Sequence, residues 1–341
     1  MKIYHLSHTD LDGYGAQYIT NFYFKDLKFL NSNYGREIDD KFAQILSEID
    51  ASNDDKNVIL ITDLNLTPAQ CESFEEMIEG KNIKLFLLDH HQSGAECASA
   101  YSWYFLDSSR CATKITYDFF AGIFGKNKEL EIFSDVVNAV DIWLKDDKNF
   151  EMGKVCLGLV ANAKEINKVM FEAENNLYMD HILKEASKFF NEKNDYIGLD
   201  MQVHAIKKSF FKEDKDDTLS NLISNYVVKK LSENKEKFSI TYKDHKGILT
   251  YNVGNVSVIG NDFLVANPEF DFFIDVTNKK TLSFRANGKL DVSAMAKHLV
   301  GGGGHVNASG GLFANFKDGF SYEPIKAQIV DLITKKTQEE I

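Results

Sequence analysis

The chain has 341 residues, 44% of them hydrophobic and 26% charged, which is the composition of a soluble globular protein large enough for two domains. Its net charge of −12 disfavours binding of long nucleic acid, which depends on Lys and Arg, so any nucleotide ligand should be small. No segment resembles a membrane span or an export signal, so we expect a cytoplasmic protein without a membrane partner.

The first predicted elements alternate between strands and helices, a pattern typical of a parallel α/β sheet. We predict strands at 2–7, 29–34, 57–62 and 83–88, and helices at 14–24 and 39–49. The strand at 57–62 is continuously apolar, as in a sheet buried on both faces. Thr67 and Gln70 form a capping box around Pro68 and open a further helix.

Aspartate and histidine residues directly follow three of these strands. They are His8, Asp10 and Asp12 after the first strand, Asp63 after the third, and Asp89, His90 and His91 after the fourth. The carboxyl ends of parallel strands share one edge of a sheet, so these residues should converge. Each group alone has a simpler explanation, such as a helix cap or a polar loop. Their joint occurrence favours a metal site.

A predicted helix at 130–144 supplies a further acid, Asp141, beside its apolar stripe. An acid next to an apolar face should be paired or bound to a metal, whereas a solvated acid on the outer face is the alternative. The four cysteines have no metal-binding spacing and are predicted to pack in the core.

The second half of the chain begins with consecutive helices over 155–235, in which the charged stretch 207–217 is predicted to be solvated. Strands at 237–242, 247–252, 272–276 and 281–286, and a helix from about Asp291, predict a smaller α/β domain. The amides of the glycine run 301–304 and the imidazole of His305 are suited to an anion. Arg285 can bind a phosphate with two hydrogen bonds. A flexible loop and a surface arginine are the alternatives.

Four strings resemble, in order and spacing, the motifs of the DHH phosphoesterase superfamily: His8-Thr-Asp10-Leu-Asp12-Gly13, Ile61-Thr-Asp63, Asp89-His90-His91 and Asn138-Ala-Val-Asp141. The run from Gly301 to Gly311 resembles the signature of the C-terminal domain associated with that superfamily. The resemblance covers essentially the whole chain. It departs at His8, where many members have an acid or a differently spaced histidine.

This resemblance implies a parallel-sheet catalytic domain over 1–190, a helical connector over 191–236 and a substrate-binding α/β domain over 237–341. It also implies two divalent ions bound by His8, Asp10, Asp12, Asp63, His90 and Asp141, with Asp63 bridging them. Carboxylates and imidazoles without thiolate suit Mn²⁺, although Mg²⁺, Co²⁺ and Zn²⁺ remain open. His91 is the implied catalytic acid, and Asp89 is expected to orient His90. The implied substrate-binding residues are Arg285, Gly302, Gly303, Gly304, His305 and Asn307.

The implied activity is manganese-dependent hydrolysis of short oligonucleotides by two metal ions, as in nano-RNase and oligoribonuclease-type exonucleases of the superfamily. The alternatives are hydrolysis of cyclic di-AMP, of a linear dinucleotide or of 3′-phosphoadenosine 5′-phosphate. A nucleotide-binding regulator without activity is a further alternative, but the complete set of metal ligands argues against it. Whether the chain is a monomer or a homodimer is open.

Overall fold

The computed structural model describes residues 1–52, 56–190 and 195–338. The chain divides into two compact units, Met1–Ala163 with Asn176–Ile206, and Lys164–Asn175 with Lys207–Ile341. Each unit is built on its own β-sheet, which confirms the predicted α/β class. Among the described residues, none of the helices combines the length and apolar character needed to cross a bilayer.

The first unit contains a parallel sheet whose strands are ordered β2-β1-β3-β4-β5. These strands are β1 (Lys2–Ser7), β2 (Leu27–Asn31), β3 (Asn57–Thr62), β4 (Ile83–Asp89) and β5 (Tyr104–Leu106). In the register of the ladder, Ser7 pairs with both Asn31 and Thr62, and Thr62 pairs with Leu88. Strands β1, β2, β3 and β4 therefore end level with one another, so the residues after them lie along one edge.

Helices cover the strands of this unit. They are α1 (Leu11–Tyr23), α2 (Arg36–Ala51), α3 (Pro68–Ile78), α4 (Ala95–Ala100), α5 (Ala112–Phe124), α6 (Lys128–Asp141), α7 (Phe150–Ala161), α8 (Glu172–Ser187) and α9 (Tyr196–Phe211). Phe42 of α2 and Phe74 of α3 are almost fully buried and stack with ring centroids 3.7 Å apart. Burying a side chain of this size contributes about 1.5–3 kcal/mol, so this contact helps to hold the two helices on the sheet.

Helix α1 begins earlier than the predicted residue 14. Asp10 is its N-cap, and the Asp10 side chain accepts the N–H of Gly13 at 3.0 Å. The capping interaction satisfies a backbone donor that would otherwise be unpaired. Asp12 consequently lies in the first turn of the helix rather than in a loop. At the other end of the candidate site, α6 stops at Asp141, and Trp143 has a left-handed φ of 59°.

The second unit contains a six-stranded mixed sheet, ordered β10-β11-β9-β8-β7-β6. Its elements are α10 (Leu219–Glu233), α11 (Lys235–Phe238), β6 (Ser239–Tyr242), β7 (His245–Tyr251), α12 (Val256–Ala266), β8 (Phe272–Val276), β9 (Thr281–Ala286), α13 (Val292–Val300), β10 (Gly303–His305), β11 (Ala308–Leu312) and α14 (Tyr322–Gln338). Helices α9 and α10 occupy much of the range predicted as a connector, whose separate role stays a prediction.

In the second half, the structure departs from the alternative of a flexible glycine loop and, in part, from the prediction of a solvated stretch at 207–217. The glycine run is not simply a loop, because its last two glycines and His305 form the edge strand β10, which pairs with β11. The stretch 207–217 is not uniformly solvated either. Lys207 is only 8% exposed, and its ammonium lies 2.8 Å from a carboxylate oxygen of Glu165. Local charge density does not reveal this pairing, because Glu165 is distant in sequence.

Gly13→Ala tests how closely α1 approaches the end of β1. An added Cβ at Gly13 would lie 2.3 Å from the carbonyl oxygen of His8, so we expect the variant to lose about 1–3 kcal/mol of unfolding free energy. Gly122→Ala in α5 is the control, because a Cβ there meets no atom within 4 Å among the described residues. It should be neutral or stabilising by up to about 1 kcal/mol. Equal urea unfolding midpoints for the two variants would refute the close approach.

Candidate metal centre

Three segments of the first unit bring acids around the imidazole of His90. The Nε2 atom of His90 lies 3.2 Å from Oδ1 of Asp63, which follows β3. The same atom lies 3.7 Å from Oδ2 of Asp12 in α1 and 3.7 Å from Oδ2 of Asp141 at the end of α6. We call Asp12, Asp63, His90 and Asp141 the His90 set.

A second group of donors lies on the other side of Asp63. The Nδ1 atom of His8 is 2.8 Å from Oδ2 of Asp10 and 3.7 Å from Oδ2 of Asp63. We call His8, Asp10 and Asp63 the His8 set. The two carboxylate oxygens of Asp63 therefore face different imidazoles, Oδ1 toward His90 and Oδ2 toward His8.

Asp63 is held in an unusual conformation. Its side chain is 2% exposed, and its Oδ2 atom accepts no hydrogen bond from the described residues. Its backbone has a left-handed φ of 57°, which is strained for a residue other than glycine, and its N–H donates to the carbonyl of Leu88 at 3.2 Å. A buried carboxylate oxygen without a donor is costly unless a cation compensates it, so this observation fits a metal ligand.

The electrostatics of the cluster also fit a cation. Burial and then the charge of Asp12 raise the pKa of Asp63 well above its usual range, and the same two causes raise the pKa of Asp141 to about 8. Burial alone would lower the pKa of His8, but its hydrogen bond to Asp10, its proximity to Asp63 and the charges of both acids raise it to about 10. The acids repel one another and retain protons, a repulsion that a divalent cation relieves.

Asp12 is oriented by helix α5, a contribution that the sequence analysis missed. The two oxygens of Asp12 accept the backbone N–H groups of Ala112 and Thr113, both at 2.7 Å. The hydroxyl of Thr113 donates to the carbonyl of Asp12, also at 2.7 Å. The N-terminus of a helix favours a negative charge, so the start of α5 is a suitable position for this carboxylate. Ala112 and Thr113 lie 100 and 101 residues after Asp12, so no local sequence pattern predicts these hydrogen bonds.

Cys111 was predicted to be only a core residue, but it lies beside the His90 set. Its sulfur and one carboxylate oxygen each of Asp12 and Asp141 all lie within 4.8 Å of one another. The side chain is fully buried. Burial and then the charge of Asp12 raise the pKa of the thiol well above its usual range. The structure therefore adds a protonated thiol to the surroundings of these acids.

Asp89 orients His91, which corrects the expectation that it orients His90. Asp89 is fully buried. One of its oxygens accepts from Nδ1 of His91 at 2.7 Å, and the other accepts the hydroxyl of Tyr104 at 2.9 Å. Because Nδ1 of His91 donates its hydrogen bond to Asp89, Nε2 is the atom available to a ligand. That atom lies 3.0 Å from the hydroxyl of Tyr34. Neither tyrosine was singled out from the sequence.

The predicted substrate-binding residues all lie in the second unit. Arg285 pairs with Ala308 in the register of β9 and β11, and Ala308 pairs with His305, so Arg285 and His305 share one face of the sheet. The guanidinium donates to Ser257 and to the carbonyl of Phe284, both at 2.8 Å.

The glycine run and Asn307 have partners within the same unit. The N–H groups of Gly301 and Gly302 cap α13 by donating to Lys297 and Ala296, both at 3.0 Å. Gly303 and Gly304 pair with Gly310 and Ser309, and the side chain of Asn307 accepts the N–H of Gly288 at 2.9 Å. The amide of Gly302 is therefore already used by the helix cap, whereas His305 is exposed.

The raised pKa values predict that metal binding releases protons. At pH 7 Asp141, with a pKa of about 8, and His8, with a pKa of about 10, hold protons that a bound ion must displace. As the pH falls through about 8, Asp141 gains its proton, whereas His8 is protonated over most of this range. The affinity for Mn²⁺ should therefore fall as the pH drops from about 9 to 6. Titration calorimetry at pH 7 in buffers of different ionisation enthalpy measures the release. A binding heat independent of the buffer would contradict this prediction.

Comparisons with known proteins place the chain in a family. No family model matches it. A 3',5'-cyclic-nucleotide phosphodiesterase from Helicobacter pylori (strain ATCC 700392 / 26695) is 41% identical over 343 residues, covering 97% of this chain and 99% of that protein. The crystal structure of an uncharacterized protein from Helicobacter pylori G27 is 40% identical, covers 98% of this chain and 99% of that one, and has a TM-score of 0.87. The chain therefore belongs to the family of that Helicobacter pylori phosphodiesterase and is an enzyme that hydrolyses phosphodiester bonds.

Proposed function

We propose that the chain is a DHH-type phosphoesterase that hydrolyses the 3′,5′-phosphodiester of small nucleotides at a centre of two divalent ions, with Mn²⁺ as the preferred metal. The observation that supports this proposal most strongly is the position of Asp63. Its two oxygens face the imidazoles of His8 and His90 separately, as expected for a carboxylate shared by two ions.

The donor sets suit this metal content. The His8 set would hold one ion and the His90 set the other, and both offer carboxylate oxygen and imidazole nitrogen, which suit Mn²⁺. When bound, such ions supply Lewis-acid stabilisation of the charge that develops on a phosphate during hydrolysis. The amides of α5 hold both oxygens of Asp12 in place, and the buried position of Asp63 keeps water from competing for its oxygens.

His91 is proposed as the general acid for the leaving oxygen. Its Nδ1 atom donates to the fully buried Asp89 at 2.7 Å, which orients the imidazole ring. As the general acid, His91 would donate a proton from Nε2 to the leaving oxygen. The hydroxyl of Tyr104 fixes the second oxygen of Asp89 at 2.9 Å, so the carboxylate cannot rotate away from His91.

Two substrate classes follow from different observations. The name of the relative from Helicobacter pylori points to a 3′,5′-cyclic nucleotide, which is our first candidate. A short oligonucleotide or dinucleotide, linear or cyclic, is the second. It is favoured by Arg285 and His305, which share one sheet face in the second unit and suit additional phosphate or base contacts. We propose that a small nucleotide, rather than a long duplex, is the partner in either case.

Asp63→Ala tests the two-metal proposal. Because Asp63 contributes to both donor sets, the variant should lose nearly all turnover and most of its bound Mn²⁺, and should lose more than His8→Ala. The measurements are kcat on bis(p-nitrophenyl) phosphate and metal content by elemental analysis after gel filtration. Asp135→Ala is the control, because Asp135 lies on α6 like Asp141 but pairs with Lys114 at 2.8 Å. Near-normal turnover of Asp63→Ala would contradict the two-metal proposal.

Substitution of the second-unit residues tests the proposed nucleotide contacts. Arg285→Ala and His305→Ala should leave the metal content unchanged and lower kcat/KM for a dinucleotide by roughly 10- to 100-fold, about 1.4–2.7 kcal/mol. Binding energy from remote parts of a substrate helps to place the reacting group, so bis(p-nitrophenyl) phosphate, which has no nucleoside, should be nearly unaffected. Equal losses on both substrates would show that the two residues support the fold instead.

A panel of substrates distinguishes the two classes. It contains a 3′,5′-cyclic mononucleotide, a cyclic dinucleotide, a linear dinucleotide, a five-residue oligonucleotide and 3′-phosphoadenosine 5′-phosphate, each with Mn²⁺. The highest kcat/KM identifies the class. Absence of hydrolysis across the whole panel would leave the proposed specificity without support.

A further inference from the structure

Tyr34 lies beside the candidate metal centre but has no part in the proposed function so far. Its hydroxyl is 3.0 Å from Nε2 of His91. The Nδ1 atom of His91 donates to Asp89 at 2.7 Å, so in the neutral imidazole Nε2 has no proton and acts as the acceptor. Tyr34 is then the donor of this hydrogen bond, and it contacts the atom that His91 would use toward a substrate.

The ring of Tyr34 also contacts the His8 set. Its centroid lies 4.7 Å from that of His8 and 5.6 Å from that of His91. The residue is 43% exposed. Tyr34 follows β2, an edge strand of the sheet, whereas His91 follows β4. The side chain therefore extends past the end of β1 to reach His91, with one part open to solvent.

The loop that presents Tyr34 is held on both sides. Glu37, which is only 8% exposed, accepts the backbone N–H of Asn33 at 3.1 Å and its side-chain amide at 2.8 Å. On the other side, the carbonyl of Gly35 accepts from the amide of Gln70 at 3.3 Å. An exposed aromatic residue on a loop fixed by buried polar contacts is typical of a functional position.

We propose that Tyr34 is a catalytic residue whose hydroxyl donates a hydrogen bond to a non-bridging oxygen of the scissile phosphate. This inference rests on the proposed function and adds a substrate contact to it. In the free enzyme the hydroxyl donates to His91. When substrate binds, the phosphate oxygen replaces Nε2 as the acceptor. Nε2 is then free to take up a proton from solvent and to donate it to the leaving oxygen. A hydrogen bond to a charged oxygen is roughly twice as strong as one between neutral groups, which favours this exchange.

The alternative is that Tyr34 only packs its ring against His8 and so supports a metal ligand. The two roles involve different parts of the side chain. A phosphate contact needs the hydroxyl, whereas packing needs the ring. Tyr34→Phe removes the hydroxyl and keeps the ring, so it separates them. Tyr196→Phe is a matched control, since Tyr196 is 39% exposed, begins α9 and, among the described residues, makes no hydrogen bond or ring contact with either donor set.

The experiment measures kcat on bis(p-nitrophenyl) phosphate and on 3′,5′-cyclic AMP, the content of Mn²⁺, and the affinity of the Mn²⁺-loaded protein for inorganic phosphate by calorimetry. Tyr34→Phe should lower kcat about 10- to 100-fold on both diesters, because the contact is to the phosphate that they share. It should also weaken phosphate binding and leave the Mn²⁺ content unchanged. Tyr196→Phe should match the wild type in every measurement.

Two results would overturn the inference. One is wild-type kcat and phosphate affinity in Tyr34→Phe, and the other is loss of Mn²⁺ from that variant, which would assign Tyr34 to the support of the metal centre. If the wild type hydrolysed neither diester, the proposed function would fail. In that case phosphate affinity alone would decide the role of Tyr34, since weaker binding by Tyr34→Phe would support the contact and unchanged binding would exclude it.

Discussion

The mutual repulsion of acids gathered at one sheet edge is the constraint on which the first unit depends. Asp12 and Asp63 are almost completely buried, and Asp141 is close enough to share His90 with them. Buried like charges destabilise a fold unless protons, hydrogen-bond donors or cations compensate them. The amides of α5 compensate Asp12, whereas Asp63 and Asp141 retain protons because burial and the charge of Asp12 raise their pKa values. The remaining repulsion lowers the stability of the folded unit and favours binding of a cation, a compromise that is common at functional sites.

The parallel sheet makes this concentration of charge possible. Strands β1, β3 and β4 pair in register at Ser7, Thr62 and Leu88, so the next residue of each segment brings His8, Asp63 and Asp89 side by side. Helix α1 starts at once after β1 because Asp10 caps it, which turns Asp12 toward α5 instead of into solvent. The left-handed backbone of Asp63 then gives each of its oxygens a different imidazole to face. The geometry of the candidate site is thus largely a consequence of strand register and helix capping.

Sequence reasoning reached the parts of this arrangement that have local signatures. Apolar runs located β3 and β4, and the polar residues directly after them predicted the convergence at one edge. It could not find Tyr34, the amides of α5 beside Asp12, or the hydrogen bond from His91 to Asp89, because these depend on packing between distant segments or on a side-chain rotamer. The short strand within the glycine run was missed for a related reason. Four glycines suggest a loop, and only pairing with β11 reveals that the last two belong to an edge strand.

The central claim is that Asp63 is shared by two metal ions, one in each donor set. The most direct test is anomalous diffraction at the manganese absorption edge from crystals of the protein grown with Mn²⁺. We predict two anomalous peaks, one bounded by His8, Asp10 and Asp63 and the other by Asp12, Asp63, His90 and Asp141. A single peak, or peaks that do not contact Asp63, would contradict the claim.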